Sequence, residues 1–282
     1  MSLIQRIRKK KGEEGIAGVL SEAPRFCYRH FIRDKLIKQL YRDRIRPNFN
    51  IDKPAVHNSV EIPPEVGEPR GSIDRWLPIS LVTTDDPNAE GGEVACHQSL
   101  TKKGDTVIII AAGSGVTTVN AARRCGPDGS VQAYEASESQ INMANKVLEA
   151  NDITNADIVS GIVGEDIDIS GELRDDVEEI PASELPNCDV LELDCEGAEV
   201  SILKGLTQRP RVLIVEVHPR KNAQSLQLPE IVRNMGYEIV EWRSNDGREL
   251  TEDKFERELK KNINSSAGAP VLGAVLKSKM DQ

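Results

Sequence analysis

The sequence predicts a doubly wound α/β domain with a mostly parallel sheet, on three observations. From Lys103 onward, short apolar runs alternate with segments of helical periodicity. The first run, Thr106–Ala111 (TVIIIA), is apolar without interruption, as a strand buried on both faces must be. The turn Gly113-Ser114-Gly115 then leads directly into helical periodicity, the strand–turn–helix unit of such sheets.

Taken along the chain, residues 1–46 read as an amphipathic basic helix, with Phe26, His30, Phe31, Leu36, Leu40 and Tyr41 interleaved with Arg25, Arg29, Arg33, Lys35, Lys38 and Arg42. It is expected to pack one face on the body of the protein, or else to meet an anionic membrane surface or a partner protein. Residues 47–75 hold Pro47, Pro54, Pro63, Pro64, Gly67, Pro69 and Gly71 and read as an extended linker. The expected division is therefore a basic extension and linker over 1–75 and the α/β domain over 76–282.

Within that domain, a helix is expected from Glu90 to Leu100, then the strand Thr106–Ala111 and the helix Val116–Cys125, ended by Gly126-Pro127. Val131–Tyr134 is the second strand, Glu138–Ala150 the next helix and Ala156–Ser160 the third strand. Residues 164–188 carry nine acids and one base, Arg174, with no clear apolar stripe, and read as a solvated connection. Asp189–Leu193 and Arg211–Val217 are the fourth and fifth strands, with short helices at Val200–Leu206 and Ser225–Met235. Tyr237–Trp242 and Val271–Lys277 complete the set.

Composition excludes several classes. The 282 residues carry a formal charge of −10 and only 4 Phe, 2 Trp and 4 Tyr, so the core is aliphatic. The charge is uneven: residues 1–50 have 13 Lys/Arg against 5 Asp/Glu, and residues 51–282 have 23 against 41. An acidic body is a poor partner for nucleic acid. The apolar run Val107–Ala112 falls far short of the roughly 20 residues of a membrane span, and no apolar stretch follows the basic N-terminus to make a secretory signal. Cys27, Cys96, Cys125, Cys188 and Cys195 are odd in number and form no CxxC pair, which fits a reducing cytoplasm. A cytoplasmic protein is expected, peripheral at the inner membrane surface if the arm binds lipid.

Chemistry gathers at the carboxyl ends of the strands, where open α/β sheets bind ligands. The glycine turn lets backbone N–H groups approach a ligand. Glu135 follows the second strand about 20 residues later, the position of a ribose-binding acid for a nicotinamide dinucleotide or for S-adenosylmethionine alike. The fourth strand runs into Asp194, Glu196 and Glu199 (DVLELDCEGAEVSILKGL), and the fifth ends in Glu216 and His218 (VLIVEVHP).

These segments resemble a known family. DVLELDCEGAEVSILKGL is similar to the signature of FkbM-type S-adenosylmethionine-dependent methyltransferases. GDTVIIIAAGSGVTTVNAARRCGPDGSVQAYEAS is similar to the family's first two motifs, and RVLIVEVHP to its fifth strand. The likeness covers roughly residues 90–280 and implies a Rossmann-like fold of seven strands, the last antiparallel. It implies that Gly113, Ser114 and Gly115 line the methionine part of S-adenosylmethionine, that Glu135 holds the ribose beside Ala136, and that Ile162 and Val163 flank the adenine. Ala111 stands where the family usually has an acid that contacts the cofactor's amino group. Asp194 would face the reacting methyl or the substrate. The family implies O-methylation, often of sugars in glycans or secondary metabolites.

A hydroxyl needs a base. His218 or Asp194 is expected in that role, His218 having an ordinary pKa of about 6.5, with Glu196 orienting the substrate. A metal held by Asp194, Glu196 and His218 has no short ligand spacing behind it, and none is expected. Cys195 is expected to pack inward. Other readings are an NAD-dependent oxidoreductase or epimerase, which lacks a Tyr-x-x-x-Lys pair here and leaves 189–206 unexplained, and a non-catalytic binding module.

Overall fold

The computed structural model describes residues 55–63, 85–164, 177–263 and 268–280. All but Ala55 of these belong to one of the chain's two compact units, Val56–Pro63 together with Asp85–Gln282. The helix expected over 1–46 lies outside the described residues. Within the stretch expected as linker, β1 (Ala55–His57) and β2 (Val60–Ile62) form a two-residue hairpin. Asn58 and Ser59 at its tip have φ of 47° and 62°, the paired positive values of a type I′ turn. Val60 and Ile62 are buried, and β1 pairs in parallel with β3 (Asp85–Asp86).

The main sheet follows from the buried runs. Its strands are β4 (Thr106–Ile110), β5 (Ser130–Glu135), β6 (Ala156–Ser160), β9 (Val190–Leu193), β10 (Val212–Glu216), β11 (Tyr237–Arg243) and β12 (Val271–Leu276). They lie in the order β11-β12-β10-β9-β4-β5-β6. β4, β5, β6, β9 and β10 run parallel, and β12 is antiparallel to both β10 and β11. This is the Rossmann-like methyltransferase architecture, with the last strand inserted between the fifth and the sixth. Two short strands, β7 (Ile162–Val163) and β8 (Glu179–Ile180), pair beside it. Part of the expected solvated connection is therefore built in: Ala182 and Leu185 join the core, while 165–176 lie outside the described residues.

Helices cover both faces. They are α1 (Gly91–Leu100), α2 (Val116–Cys125), α3 (Glu138–Ala150), α4 (Glu199–Gly205), α5 (Leu228–Asn234) and α6 (Glu252–Asn262). On one face Ile108, Ile110, Leu191, Leu193, Leu213 and Val215 pack with residues of α4, α5 and α6; on the other Val107, Ile109, Val190, Val212 and Ile214 pack with Cys96 of α1 and Ala121, Ala122 and Cys125 of α2. Helix α6 was not expected. Its sequence EDKFERELKKN buries only Phe255, Leu259 and Asn262, so its apolar stripe is two residues wide. Gly115, with φ of 85°, enters α2 where an added Cβ would stand 3.2 Å from the Cα of Ala144 in α3. That glycine serves helix packing.

Strand alternation decides what faces the site. Glu192, Asp194 and Glu216 share the α1 side with Val190, Val212 and Ile214. α1 answers with Glu93 and His97, four residues apart on its buried face. His97 Nε2 hydrogen-bonds Glu192 Oε2, and its Nδ1 lies 2.8 Å from Thr101 Oγ1, all fully buried. Replacing His97→Leu strands the Glu192 carboxyl and is expected to cost about 3–5 kcal/mol in urea denaturation. The double change His97→Leu/Glu192→Leu should recover most of it; equal midpoints for wild type and His97→Leu would show the pair to be without weight.

Candidate active site

The register of the sheet brings the ends of β4, β5 and β9 level, since Ile110 pairs with both Tyr134 and Leu193. A cavity opens there, lined by Ala111, Gly113, Glu135, Ala136, Ile162, Val163, Asp194 and Glu196, and also by Ile110, Tyr134, Gln140, Gly161 and Cys195. It lies where the strand order reverses about β4, the usual crevice of doubly wound sheets. Of the residues expected to bind a cofactor, Ser114 and Gly115 do not line it, and of those expected to be catalytic, His218 does not.

The turn after β4 is tightly bent. Ala111 has φ of 72°, a left-handed conformation that costs a non-glycine residue about 1–2 kcal/mol. Two hydrogen bonds offset it: Ala111 and Ala112 N–H both donate to Tyr134 O, at 2.9 and 3.0 Å.

Glu135, at the tip of β5, is buried and accepts three backbone N–H bonds. Its Oε1 takes those of Ala136 and Ser137, both at 2.9 Å, and its Oε2 takes that of Gly113 at 3.0 Å. The carboxylate thus locks the glycine turn to β5. Oε1 is saturated, whereas Oε2 keeps one lone pair for a hydroxyl in the cavity.

The N-terminus of α2 is already occupied. Glu90 Oε2 accepts from Thr117 N at 3.2 Å, and Glu90 Oε1 accepts from Ser114 Oγ at 3.0 Å. A carboxylate sits where a helix N-terminus would otherwise take a phosphate.

Beside the cavity, His218 is held by three carboxylates. Its Nδ1 lies 2.8 Å from Glu199 Oε1, and its Nε2 lies 3.1 Å from Glu216 Oε2 and 3.5 Å from Asp194 Oδ1. Glu199 Oε1 also accepts from Gly197 N at 3.0 Å, and Glu216 Oε1 from Asn245 Nδ2 at 3.2 Å. Burial alone would depress the imidazole, but hydrogen bonds to Glu199 and Glu216 and the charges of the same two carboxylates overcome it and raise His218 to about 10. Asp194 is pushed well above the usual carboxylate range, first by burial and then by the Glu216 charge. Burial also pushes Glu216 up, but hydrogen bonds from His218 and Asp194 outweigh it and leave this carboxyl low. The proton of the Asp194–Glu216 pair therefore rests on Asp194.

Glu196, with φ of 50°, forms an ion pair with Lys221 at 3.1 Å, and Asn222 Nδ2 donates to Gly197 O at 2.9 Å. The loops after β9 and β10 are thereby tied together. Cys195 is buried, and burial followed by the neighbouring acids keeps its thiol protonated, consistent with the packing role expected for it.

Glu216 and Glu199 were expected at this rim without a role, and Glu90 and Glu93 were not expected in the site. Glu216 had a signal, since it ends β10 two residues before His218, at the same rim. Glu199 opens α4, and its bond to His218 spans nineteen residues and leaves no local pattern.

Residues 167–239 match the Methyltransferase FkbM domain, the family that the Asp-Cys-Glu-Gly-Ala-Glu segment resembles. The matched stretch contains Asp194, Glu196, Glu199, Glu216 and His218 and stops short of the glycine turn and Glu135. No curated protein matches the chain. Among solved structures, the chain is similar to an S-adenosylmethionine-dependent methyltransferase from Aquifex aeolicus, at 13% identity over 67% of this chain and 92% of that one, with a TM-score of 0.42. It is also similar to fibrillarin from Aeropyrum pernix with natively bound S-adenosyl-L-methionine, at 14% identity over 67% and 76% of the two chains and a TM-score of 0.42. A third is an S-adenosylmethionine-dependent O-methyltransferase from Thermotoga maritima, at 18% identity over 64% and 62%, with a TM-score of 0.39. Likeness at this level speaks to neither substrate nor activity.

A folded-state pKa raised above the unfolded value of about 6.5 adds stability that is complete below that pH and is lost as pH climbs towards about 10. In metal-free buffer the His218 ring resonances should therefore titrate near pH 10 by NMR. Titration near 6.5 would show that the three carboxylates do not hold its proton.

Proposed function

We propose that the chain is an S-adenosylmethionine-dependent methyltransferase that places a methyl group on a hydroxyl of a sugar, glycan or similar small molecule. The match of 167–239 to the Methyltransferase FkbM domain supports it. The observation that carries it is the cavity itself. Following the sheet order β6-β5-β4-β9, apolar Ile162 and Val163 lie at one end, Glu135 and the glycine turn in the middle, and Asp194 with Glu196 at the other. That sequence suits an adenine, a ribose and a cationic sulfonium in turn, the acids attracting the positive charge.

Glu90 favours this reading over a nicotinamide dinucleotide. A dinucleotide brings a pyrophosphate to the start of the first helix, and here Glu90 already takes the Thr117 N–H. S-adenosylmethionine has no phosphate and makes no such demand. The acidic body also stands against a nucleic-acid substrate.

The residues then divide the work. S-adenosylmethionine supplies an electrophilic methyl group on a sulfonium. Glu135 Oε2 fixes the ribose, while Ile162 and Val163 cover the adenine. Glu196, anchored by Lys221, orients the acceptor. In the transfer the O–CH3 bond would form as the S–CH3 bond breaks with its electron pair left on sulfur, and the hydroxyl proton would pass to Asp194 once the proton that Asp194 holds at rest has left to solvent through the cavity it lines. With its pKa raised, ionised Asp194 is a stronger acceptor than an ordinary carboxylate. His218, protonated by its three neighbours, is an electrostatic anchor for Asp194 and not the base.

Glu135→Gln turns one acceptor into a donor facing backbone N–H groups. Calorimetry should show S-adenosylmethionine binding weakened about tenfold or more. Asp194→Asn should keep that binding while single-turnover methyl transfer to acceptor glycans falls about 100-fold or more. Wild-type protein that binds no S-adenosylmethionine at millimolar concentration would overturn the proposal.

A further inference from the structure

We propose that Asp194, Glu216 and His218 form a binding site for one divalent metal ion at the carboxyl ends of β9 and β10, beside the cavity. Each offers a ligand atom, and the three atoms lie within 4.8 Å of one another. From His218 Nε2 the separations are 3.1 Å to Glu216 Oε2 and 3.5 Å to Asp194 Oδ1. Two atoms that bind one ion at about 2.1 Å stand about 3 Å apart, so the three need little movement to close on a cation.

Two of the three ligands are oriented from behind. Glu199 Oε1 faces His218 Nδ1, so that Nδ1–H is the hydrogen-bonding side and Nε2 is turned to the carboxylates. This is the carboxylate–histidine arrangement that accompanies metal-bound imidazoles. Asn245 Nδ2 holds Glu216 Oε1 and leaves Oε2 towards the site. Asp194 is half-buried and lines the cavity, so an ion there keeps open positions for water or a substrate oxygen.

A second observation points to a cation independently. Glu93, from α1, is 3% exposed, and its Oε2 has no hydrogen-bond partner. Glu216 is the charge that acts on it most, followed by Glu192. Glu199 is fully buried and its Oε2 is likewise unpartnered. Among the described residues, the one basic side chain paired with Asp194, Glu199 or Glu216 is His218. Three acids thus meet a single imidazole, with a fourth, Glu93, under the charge of Glu216, and buried carboxylates that ionise are tolerated only with compensating charge. A dication supplies it. Oxygen ligands with one imidazole suit Mn2+, Mg2+ or Zn2+. Sequence spacing concealed the site because its ligands gather at the ends of two strands, Asp194 just past β9, Glu216 at the end of β10 and His218 just past it.

The site stands on ligand geometry and the unpartnered buried carboxylates; its use rests on the methyl-transfer reading. A substrate hydroxyl on the ion would lose its proton more readily, with the second carboxylate oxygen of Asp194 to receive it.

The test uses the full chain, stripped with chelator and titrated with Mn2+ alone, without S-adenosylmethionine, by electron paramagnetic resonance and calorimetry. Wild type should bind one Mn2+ with proton release. Glu216→Gln and His218→Asn should weaken binding by more than tenfold, and Glu199→Gln by about 10–100-fold. Glu238→Gln, exposed on β11 and outside the cavity, should bind Mn2+ as wild type does. Circular dichroism screens each variant for folding; should the buried positions fail, Asp194→Asn at the half-buried ligand carries the comparison. Absence of saturable binding of Mn2+, Mg2+ and Zn2+ to wild type overturns the site, as does unchanged affinity in a folded Glu216→Gln or Asp194→Asn. Mn2+ binding without S-adenosylmethionine binding would retain the site and reject the methyl-transfer reading, and the converse would do the reverse.

Discussion

The rim of this sheet depends on the clamp around His218. Glu199 engages one ring nitrogen, while Glu216 and Asp194 face the other. The carboxylates come from three elements: the end of β9, the start of α4 and the end of β10. Gathering them is costly, since each ion leaves water for a poorly polarisable interior. The imidazolium offsets part of that cost and fixes the directions of Asp194 and Glu216. The loops follow: Gly197 N–H turns to Glu199, Asn222 turns to the Gly197 carbonyl and Lys221 to Glu196. An acidic rim, carboxylates of unlike proton affinity and the coupling between neighbouring loops all follow from one ring and its partners.

A second carboxylate, Glu135, does for the nucleoside end what His218 does for the other. By accepting from Gly113, Ala136 and Ser137 it makes the glycine turn and the tip of β5 one unit. Glu90 closes the phosphate route at α2. Glu135 lines the crevice and Glu90 caps the helix beside it, and neither role falls to the glycines, of which Gly115 is committed to packing against α3.

The fold was legible because burial on both faces writes itself into uninterrupted apolar runs. VIII in β4, VLEL in β9 and VLIV in β10 could only be central strands, and Gly126-Pro127 could only stop a helix. Helix α6 was not legible, because two apolar residues suffice to dock it. The hairpin 55–62 was hidden among prolines that marked a linker, although Asn58-Ser59 suits its turn. In the site, Glu135, Asp194 and Glu196 could be read from position on the strands. The partners of His218 could not: Glu199 reaches it from nineteen residues earlier on another element. Sequence periodicity records which side of an element is buried but not which buried polar groups meet.

The account turns on what the crevice between Glu135 and Asp194 holds. A crystal structure of the full chain grown with S-adenosylhomocysteine tests it most directly. The ribose hydroxyls should lie on Glu135 Oε2, the adenine against Ile162 and Val163, and the sulfur beside Asp194. A nucleoside bound elsewhere, or a crevice left empty at saturating ligand, would contradict it.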